Sequence, residues 1–262
     1  MSYAIALLLI ISGIIAGFMN TLAGGGSVIS LAVLIFLGFP VDIANATNRV
    51  AVLMQTFTSS LSFHKQKMLE VRPTLQLVLP AVSGSILGAQ IAIDINLYII
   101  ERIFAVILLI LILFLLGKPS SFLFGKKETQ QKPKSWWQIG IFFLIGVYGG
   151  FIQAGVGYFM LAALIAGAGF DLVRATAIKV WIVFLYSPIA LLVFVINGAV
   201  QWKYGLLIGV GGMMGAWIAS HLAITKGIGF IKWVIIIVIL ITSAQLFGLI
   251  TIEKLLRNYI TV

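Results

Sequence analysis

Long hydrophobic runs separated by short polar breaks dominate this sequence. Residues 1–22 and 233–251 carry no charged side chain, and residues 97–117 carry only Glu101 and Arg102 near their start. A helix needs roughly 20 predominantly apolar residues to cross a bilayer. Several runs reach that length, so the pattern predicts an all-α integral membrane protein, a polytopic helix bundle with about 8–10 transmembrane segments.

Ten hydrophobic segments can be delimited, five on each side of a polar stretch. Their predicted bounds are 4–22, 27–38, 43–63, 73–94 and 97–117, then 136–153, 157–169, 172–197, 204–223 and 229–251. Segments 27–38 and 157–169 reach only ~18 Å of a ~30 Å hydrocarbon layer at the helical rise per residue. We predict that these two short helices are broken or half-spanning.

Basic residues indicate the domain boundaries and the orientation. The stretch 118–135 holds five lysines against a single glutamate, and loops rich in Lys and Arg stay in the cytoplasm. We therefore predict a first transmembrane repeat at 1–117, a basic cytoplasmic linker at 118–135, a second repeat at 136–252 and a polar tail at 253–262. If all five segments of each repeat cross the bilayer, the two repeats are inverted.

The amino-acid composition argues against several classes of function. The chain is 61% hydrophobic and 9% charged, whereas soluble domains are about a quarter charged. Its net charge of +10 suits cytoplasmic loops of a membrane protein better than nucleic-acid binding. Without cysteine, and without hydrolase or nucleotide-binding motifs, we expect no enzyme, no cofactor and no metal site.

The two halves carry similar motifs in the same order. Asn20 precedes the cluster Gly24-Gly25-Gly26-Ser27, and Gln153 precedes Gly155-Val156-Gly157-Tyr158. Further on, Arg49 in the first half corresponds to Lys179 in the second. Chance likeness between glycine-rich membrane helices is the alternative. We predict a duplicated unit, a design in which transporters bind substrate between the repeats.

The glycine clusters are candidate helix breaks. Each glycine costs about 1 kcal/mol inside a helix, so a cluster ends one. The freed N–H groups and the next helix N-terminus attract anions, and such backbone must be buried or line a cavity. Close packing through small residues is the alternative, and we prefer it for Gly84 with Gly88 and for Gly211 with Gly215. The predicted backbone contributors to a binding site are Gly24, Gly25, Gly26, Ser27, Gly155 and Gly157.

Arg49 and Lys179 are cations inside hydrophobic segments. A cation at the centre of a membrane helix costs roughly 3 kcal/mol, so it usually has a partner or a role. Acidic residues are few, which favours an anionic substrate as the partner. Snorkelling of both heads to the interface is the alternative. Asn20, Asn48 and Gln153 would add neutral donors to this predicted substrate-binding set.

These motifs resemble the sulfite exporter TauE/SafE family of bacterial membrane proteins. The likeness rests on Asn20 with residues 24–27, on Thr47-Asn48-Arg49, and on residues 175–180 around Lys179. The second glycine cluster departs from the family pattern, because Tyr158 stands where a small hydroxyl residue is common. The resemblance implies a multi-pass transporter of the bacterial inner membrane for sulfite, sulfonates or related small anions.

Two hypotheses for the function follow from these observations. The first is a secondary transporter that exports small sulfur-containing oxyanions by alternating access between the repeats. Its partners would be the anion and membrane lipid; the oligomeric state stays open, with a homodimer among the alternatives. The second is a permease for another small ion, such as a metal cation, or a membrane scaffold. A cation path would need acidic lining, and the seven acidic residues lie mostly in loops or at segment ends.

Overall fold

The structure, a computed structural model, describes residues 2–69, 71–95 and 136–246. Within these ranges every regular element is helical, which confirms the all-α prediction. Predicted segment 97–117, the linker 118–135 and the tail 253–262 lie outside the described residues. The helices are α1 (Tyr3–Leu22), α2 (Ser27–Phe36), α3 (Val41–Lys65), α4 (Val71–Asp94), α5 (Trp136–Phe151), α6 (Val156–Ala162), α7 (Leu172–Ile196) and α8 (Trp202–Leu246).

Four of these helices are long and apolar enough to cross a membrane: α1, α7, Thr74–Asp94 of α4 and Trp202–Ala223 of α8. Their outward faces are apolar as well. Leu7, Ile11 and Ile15 lie exposed at helical spacing along one side of α1. A stripe of exposed apolar side chains is unfavourable in water and favourable against lipid. The faces therefore agree with the predicted membrane location.

The two short segments end early for the same local reason. The structure confirms two short helices, α2 with ten residues and α6 with seven followed by the π-helical turn Ala163–Gly167. Gly38 follows the first with φ +89°, and Gly169 follows the second with φ +79°. Glycine adopts this left-handed conformation without steric cost, so it ends helices readily.

One predicted boundary is wrong. We predicted separate segments at 204–223 and 229–251, but α8 runs without a break over the 45 residues from Trp202 to Leu246. The prediction rested on Lys226 and Gly227, which interrupt the apolar run. A single glycine costs only about 1 kcal/mol in a helix and no proline is nearby, so the local sequence does not force an end.

Close contacts at glycines pair α1 with α8 and α5 with α4. In each pair, the first helix of one half packs on the fourth described helix of the other half. A Cβ placed on Gly13 or Gly17 of α1 would overlap α8 backbone, and a Cβ on Gly211 or Gly215 of α8 would overlap α1. Such close approach is the usual function of small residues between membrane helices. The packing interpretation of Gly211 and Gly215 is therefore confirmed.

The pair α4 and α5 repeats this arrangement. Gly84 and Gly88 of α4 lie against the backbone of α5, and Gly146 and Gly150 of α5 lie against α4. The preferred packing role of Gly84 and Gly88 is confirmed here too. Helices α3 and α7 pack on each other and on these two pairs, so they occupy the middle of the bundle. The inverted orientation of the two halves stays a prediction.

Candidate functional site

The first helix break joins α1 to α2. Gly24 has φ +97°, a conformation that favours glycine. The Asn20 side chain closes the break: its Oδ1 accepts from the Ser27 N–H at 3.0 Å, and its Nδ2 donates to Ser27 Oγ at 3.0 Å. The Gly24 N–H donates to the carbonyl of Met19 at 3.0 Å. Two of the backbone donors predicted to face an anion are thus used within the protein.

The second break joins α5 to α6 in a similar way. Gly155 has φ +73° and directly precedes α6. The Tyr148 hydroxyl donates to the carbonyl of Ala154, and Gln153 Nε2 donates to the Tyr186 hydroxyl at 3.1 Å. The side chain that corresponds to Asn20 therefore bonds a neighbouring helix, α7, instead of capping the next one.

The two breaks touch each other. A Cβ added to Gly24 would overlap the Cα of Gly157, and a Cβ added to Gly157 would overlap the Cα of Gly24. No side chain larger than hydrogen fits at this contact unless the backbone shifts. The glycine clusters predict free backbone donors, but their direct contact is not apparent from the sequence.

Arg49 reaches from α3 to the end of α5. Its side chain is 2% exposed, Nη1 donates to the carbonyl of Gly149 at 3.1 Å, and Nη2 donates to those of Gly150 and Phe151. Its Cζ lies 4.4 Å from the centroid of the Phe194 ring, within cation–π range. The last carbonyls of a helix carry partial negative charge, so they suit a guanidinium.

Lys179 makes the corresponding contact from α7 to the end of α1. Its side chain is 1% exposed, and Nζ donates to the carbonyls of Asn20 and Thr21, both at 2.9 Å. Each half of the molecule thus supplies a cation to the broken helix of the other half. Snorkelling is excluded for both side chains, because both heads are buried against main-chain carbonyls.

This geometry revises the predicted partners of the two cations. From the sequence, an anionic substrate was the favoured partner; in the structure the first partners are helix C-termini. An ammonium has three N–H donors, and two from Lys179 are used. The Arg49 guanidinium instead combines three carbonyls with an aromatic face. Contact of either cation with an anion stays a prediction.

A small cavity lies where α1, α3, α6 and α7 meet beside the two breaks. Its volume is about 20 Å³, roughly the space that one water molecule needs. Five predicted site residues line it: Asn20, Gly24, Gln153, Gly157 and Lys179. The remaining lining residues are Val52, Gln55, Thr56, Val156, Val180 and Val183.

Six predicted site residues lie outside this lining. Gly25 lies against the Tyr158 hydroxyl and Gly26 against the carbonyl of Ala16, while Asn48 Oδ1 accepts from Ser30 Oγ at 2.5 Å. The others are Ser27, Arg49 and Gly155. The structure therefore divides the predicted set into residues that face the cavity and residues that build the breaks around it.

Sequence reasoning missed Gln55 and Thr56. Thr56 follows Arg49 on α3 by seven residues, about two helical turns, so it lies on the same side of that helix, whereas Gln55 lies about 120° further around. Plotting the face of α3 that carries Arg49 could therefore have found Thr56 but not Gln55. Within the part of the chain that the structure describes, no group of three or more His, Cys, Asp or Glu side chains could hold a metal ion.

The fold and this cavity define a class of protein: a polytopic helical membrane protein in which two broken helices meet beside a small cavity lined by Lys179, four uncharged polar side chains, two glycines and four valines. The family described as sulfite exporter TauE/SafE matches residues 9–246. The chain belongs to this family and is a membrane transporter. The family prediction made from the glycine and Arg/Lys motifs is thereby confirmed.

Named relatives span nearly the whole chain. A probable membrane transporter protein ORF9 of a Sinorhizobium species is 29% identical over 239 residues, covering 91% of this chain and 90% of the relative. A probable membrane transporter protein of Haemophilus influenzae is 26% identical, covering 89% and 91%. A probable membrane transporter protein YfcA of Escherichia coli is 26% identical, covering 88% and 86%. No solved structure matches the chain significantly.

Proposed function

We propose that this protein is a secondary transporter of the bacterial inner membrane that exports sulfite, organosulfonates or related small oxyanions. The proposal is supported by membership of the sulfite exporter family and by relatives named probable membrane transporters. Alternating access would open the contact between the two breaks to one side of the membrane at a time.

One observation supports an anionic substrate over a cationic one. The Lys179 ammonium lines the cavity between the breaks and has one N–H left after its two carbonyl bonds. None of the described residues that line this cavity is acidic. A positive group without a carboxylate partner attracts anions and repels metal cations. The cation-permease alternative is therefore the weaker one.

The cavity must widen for transport, because a space for one water molecule is too small for sulfite. The glycine contact between the breaks is the natural place for this change. Gly24 and Gly157 hold the backbones together without interlocking side chains, so separation disturbs few contacts.

Flux into proteoliposomes tests the proposal. The purified protein should carry at least one of sulfite, sulfate, thiosulfate, taurine and sulfoacetate, and Lys179→Gln should abolish that flux. Lys203→Gln is the matched control, because Lys203 is exposed on α8. Undiminished flux in Lys179→Gln, or carriage of Ni²⁺ or Co²⁺ in place of any anion, would refute the anion assignment.

A further inference from the structure

Gln55 carries a buried amide side chain that none of the described residues hydrogen-bonds. Its residue is 2% exposed and it lines the central cavity. Among the described residues, none hydrogen-bonds its side chain, although its backbone carbonyl accepts from Ser59 Oγ at 3.0 Å. The Gln55 amide atoms are not among the fully buried side-chain atoms that lack a hydrogen bond, so an uncommitted amide here lies open to whatever occupies the cavity.

The other uncharged polar side chains on the cavity already have partners. The amide of Asn20 bonds Ser27, that of Gln153 bonds Tyr186, and the Thr56 hydroxyl donates to the carbonyl of Val52 at 2.7 Å. Gln55 differs from all three, because both its N–H donors and its acceptor are uncommitted. Asn20 and Gln153 each keep one amide N–H, so Gln55 is the uncharged side chain in this lining with the most hydrogen-bonding groups left for a ligand.

The position has no polar counterpart in the second half of the chain. With Arg49 matched to Lys179, Gln55 corresponds to Leu185, and the α7 residues that line the cavity beside Lys179 are Val180 and Val183. The cavity is thus polar on the α3 side and carries its charge on the α7 side. Repeated architecture does not require Gln55, which points to a role with the ligand.

We propose that Gln55 is a substrate-contacting residue that selects oxyanions, donating its amide N–H to one oxygen while the Lys179 ammonium meets the charge. This inference rests on the proposed function, because it assigns a second contact at the same site. Amide donors suit the oxygens of sulfite and sulfonates. The amide would also favour ligands with several oxygens over halides, which present one spherical acceptor.

The test measures transport and stability together for Gln55→Leu, which removes the amide at similar size. Gln90→Leu is the matched control, because Gln90 is an exposed glutamine on membrane helix α4. The probe is whichever of sulfite, sulfate, thiosulfate, taurine and sulfoacetate the wild type carries best. We expect the KM for that probe to rise roughly tenfold or more in Gln55→Leu, with the thermal unfolding midpoint unchanged or higher. Gln90→Leu should alter neither quantity.

The possible outcomes distinguish a failure of the role assigned to Gln55 from a failure of the proposed anion transport. An unchanged KM in Gln55→Leu overturns the role of Gln55 while leaving anion transport intact. A lower unfolding midpoint together with an unchanged KM would assign Gln55 a structural role instead. If the wild type carries none of the five probes, the proposed function itself fails, and this inference fails with it. Should Gln55→Leu not fold, Gln55→Met gives the same comparison with a more flexible side chain.

Discussion

The two ends of the broken helices α1 and α5 look alike but are held differently. At the end of α5, Arg49 bonds three carbonyls and stacks on Phe194. At the end of α1, Lys179 bonds two carbonyls and also faces the cavity. Arg49 thus holds a helix end away from the cavity, whereas Lys179 holds a helix end and also lines the cavity.

The choice of side chain fits this difference. Arginine presents five N–H donors in a rigid planar fork, whereas lysine is a compact charge with three donors. The fork matches a row of carbonyls and an aromatic ring, and the compact head fits beside a cavity of about 20 Å³. The comparison teaches that two positions with matching sequence motifs need not carry equivalent functions.

Arg49→Ala should have the largest effect on stability. It leaves the carbonyls of Gly149 and Gly150 without this donor in a buried place, while that of Phe151 still accepts from Asn45 Nδ2, and each group left unpaired costs about 1–3 kcal/mol. We expect a loss of about 3 kcal/mol or more, measured as a fall in the thermal unfolding midpoint in detergent. Arg174→Ala, at an exposed position of α7, should change the midpoint little. Equal shifts in the two variants would contradict the structural role of Arg49.

Lys179→Met should separate stability from transport. The carbonyls of Asn20 and Thr21 lose their donor, which should lower stability by about 2–4 kcal/mol. Anion flux should vanish even at temperatures where the variant is folded, because the charge on the cavity is gone. A variant that folds and still transports at the wild-type rate would remove Lys179 from the site. Flux in proteoliposomes, normalised to folded protein, is the measurement.

Gly157→Ala tests the contact between the breaks. Its new Cβ would overlap Gly24, and forcing extra atoms into a close-packed place costs about 1–3 kcal/mol. The matched control is Gly140→Ala in α5, where a Cβ meets nothing within 4 Å. That control should be neutral or stabilising by up to about 1 kcal/mol, because alanine is the better helix former. Similar thermal midpoints for both variants would show that the breaks do not touch.

Asn20→Ala should have the smallest effect. The variant loses the hydrogen bond that Asn20 Oδ1 accepts from the Ser27 N–H at the start of α2, and removing such a cap costs typically about 1 kcal/mol. Thermal unfolding in detergent measures it, with Asn20→Asp as the comparison that keeps an acceptor. A loss in Asn20→Asp as large as in Asn20→Ala would argue against capping.

Much of this architecture could be predicted from the sequence, for identifiable reasons. Hydrophobic length predicts spans, glycine clusters predict breaks, and charges inside apolar segments attract attention because they are rare there. These are local properties. They placed the two short helices near α2 and α6 and singled out Arg49 and Lys179.

The partners of the cations could not be predicted in the same way. Arg49 bonds carbonyls about one hundred residues away, and Lys179 bonds carbonyls more than 150 residues away, so both contacts depend on how the two halves pack. Main-chain acceptors also leave no mark in the sequence, since every residue has a carbonyl. Gln55 was missed because α3 carries many polar residues, and none of the uncharged ones stands out until the cavity beside it is known.

Anion-induced thermal stabilisation tests most directly the central claim that Lys179, and not Arg49, faces the substrate. Wild type, Lys179→Met and Arg49→Lys would be heated in detergent with and without the transported anion. We predict that the anion raises the unfolding midpoint of the wild type and of Arg49→Lys, but not that of Lys179→Met. Stabilisation that survives in Lys179→Met and disappears in Arg49→Lys would contradict the account.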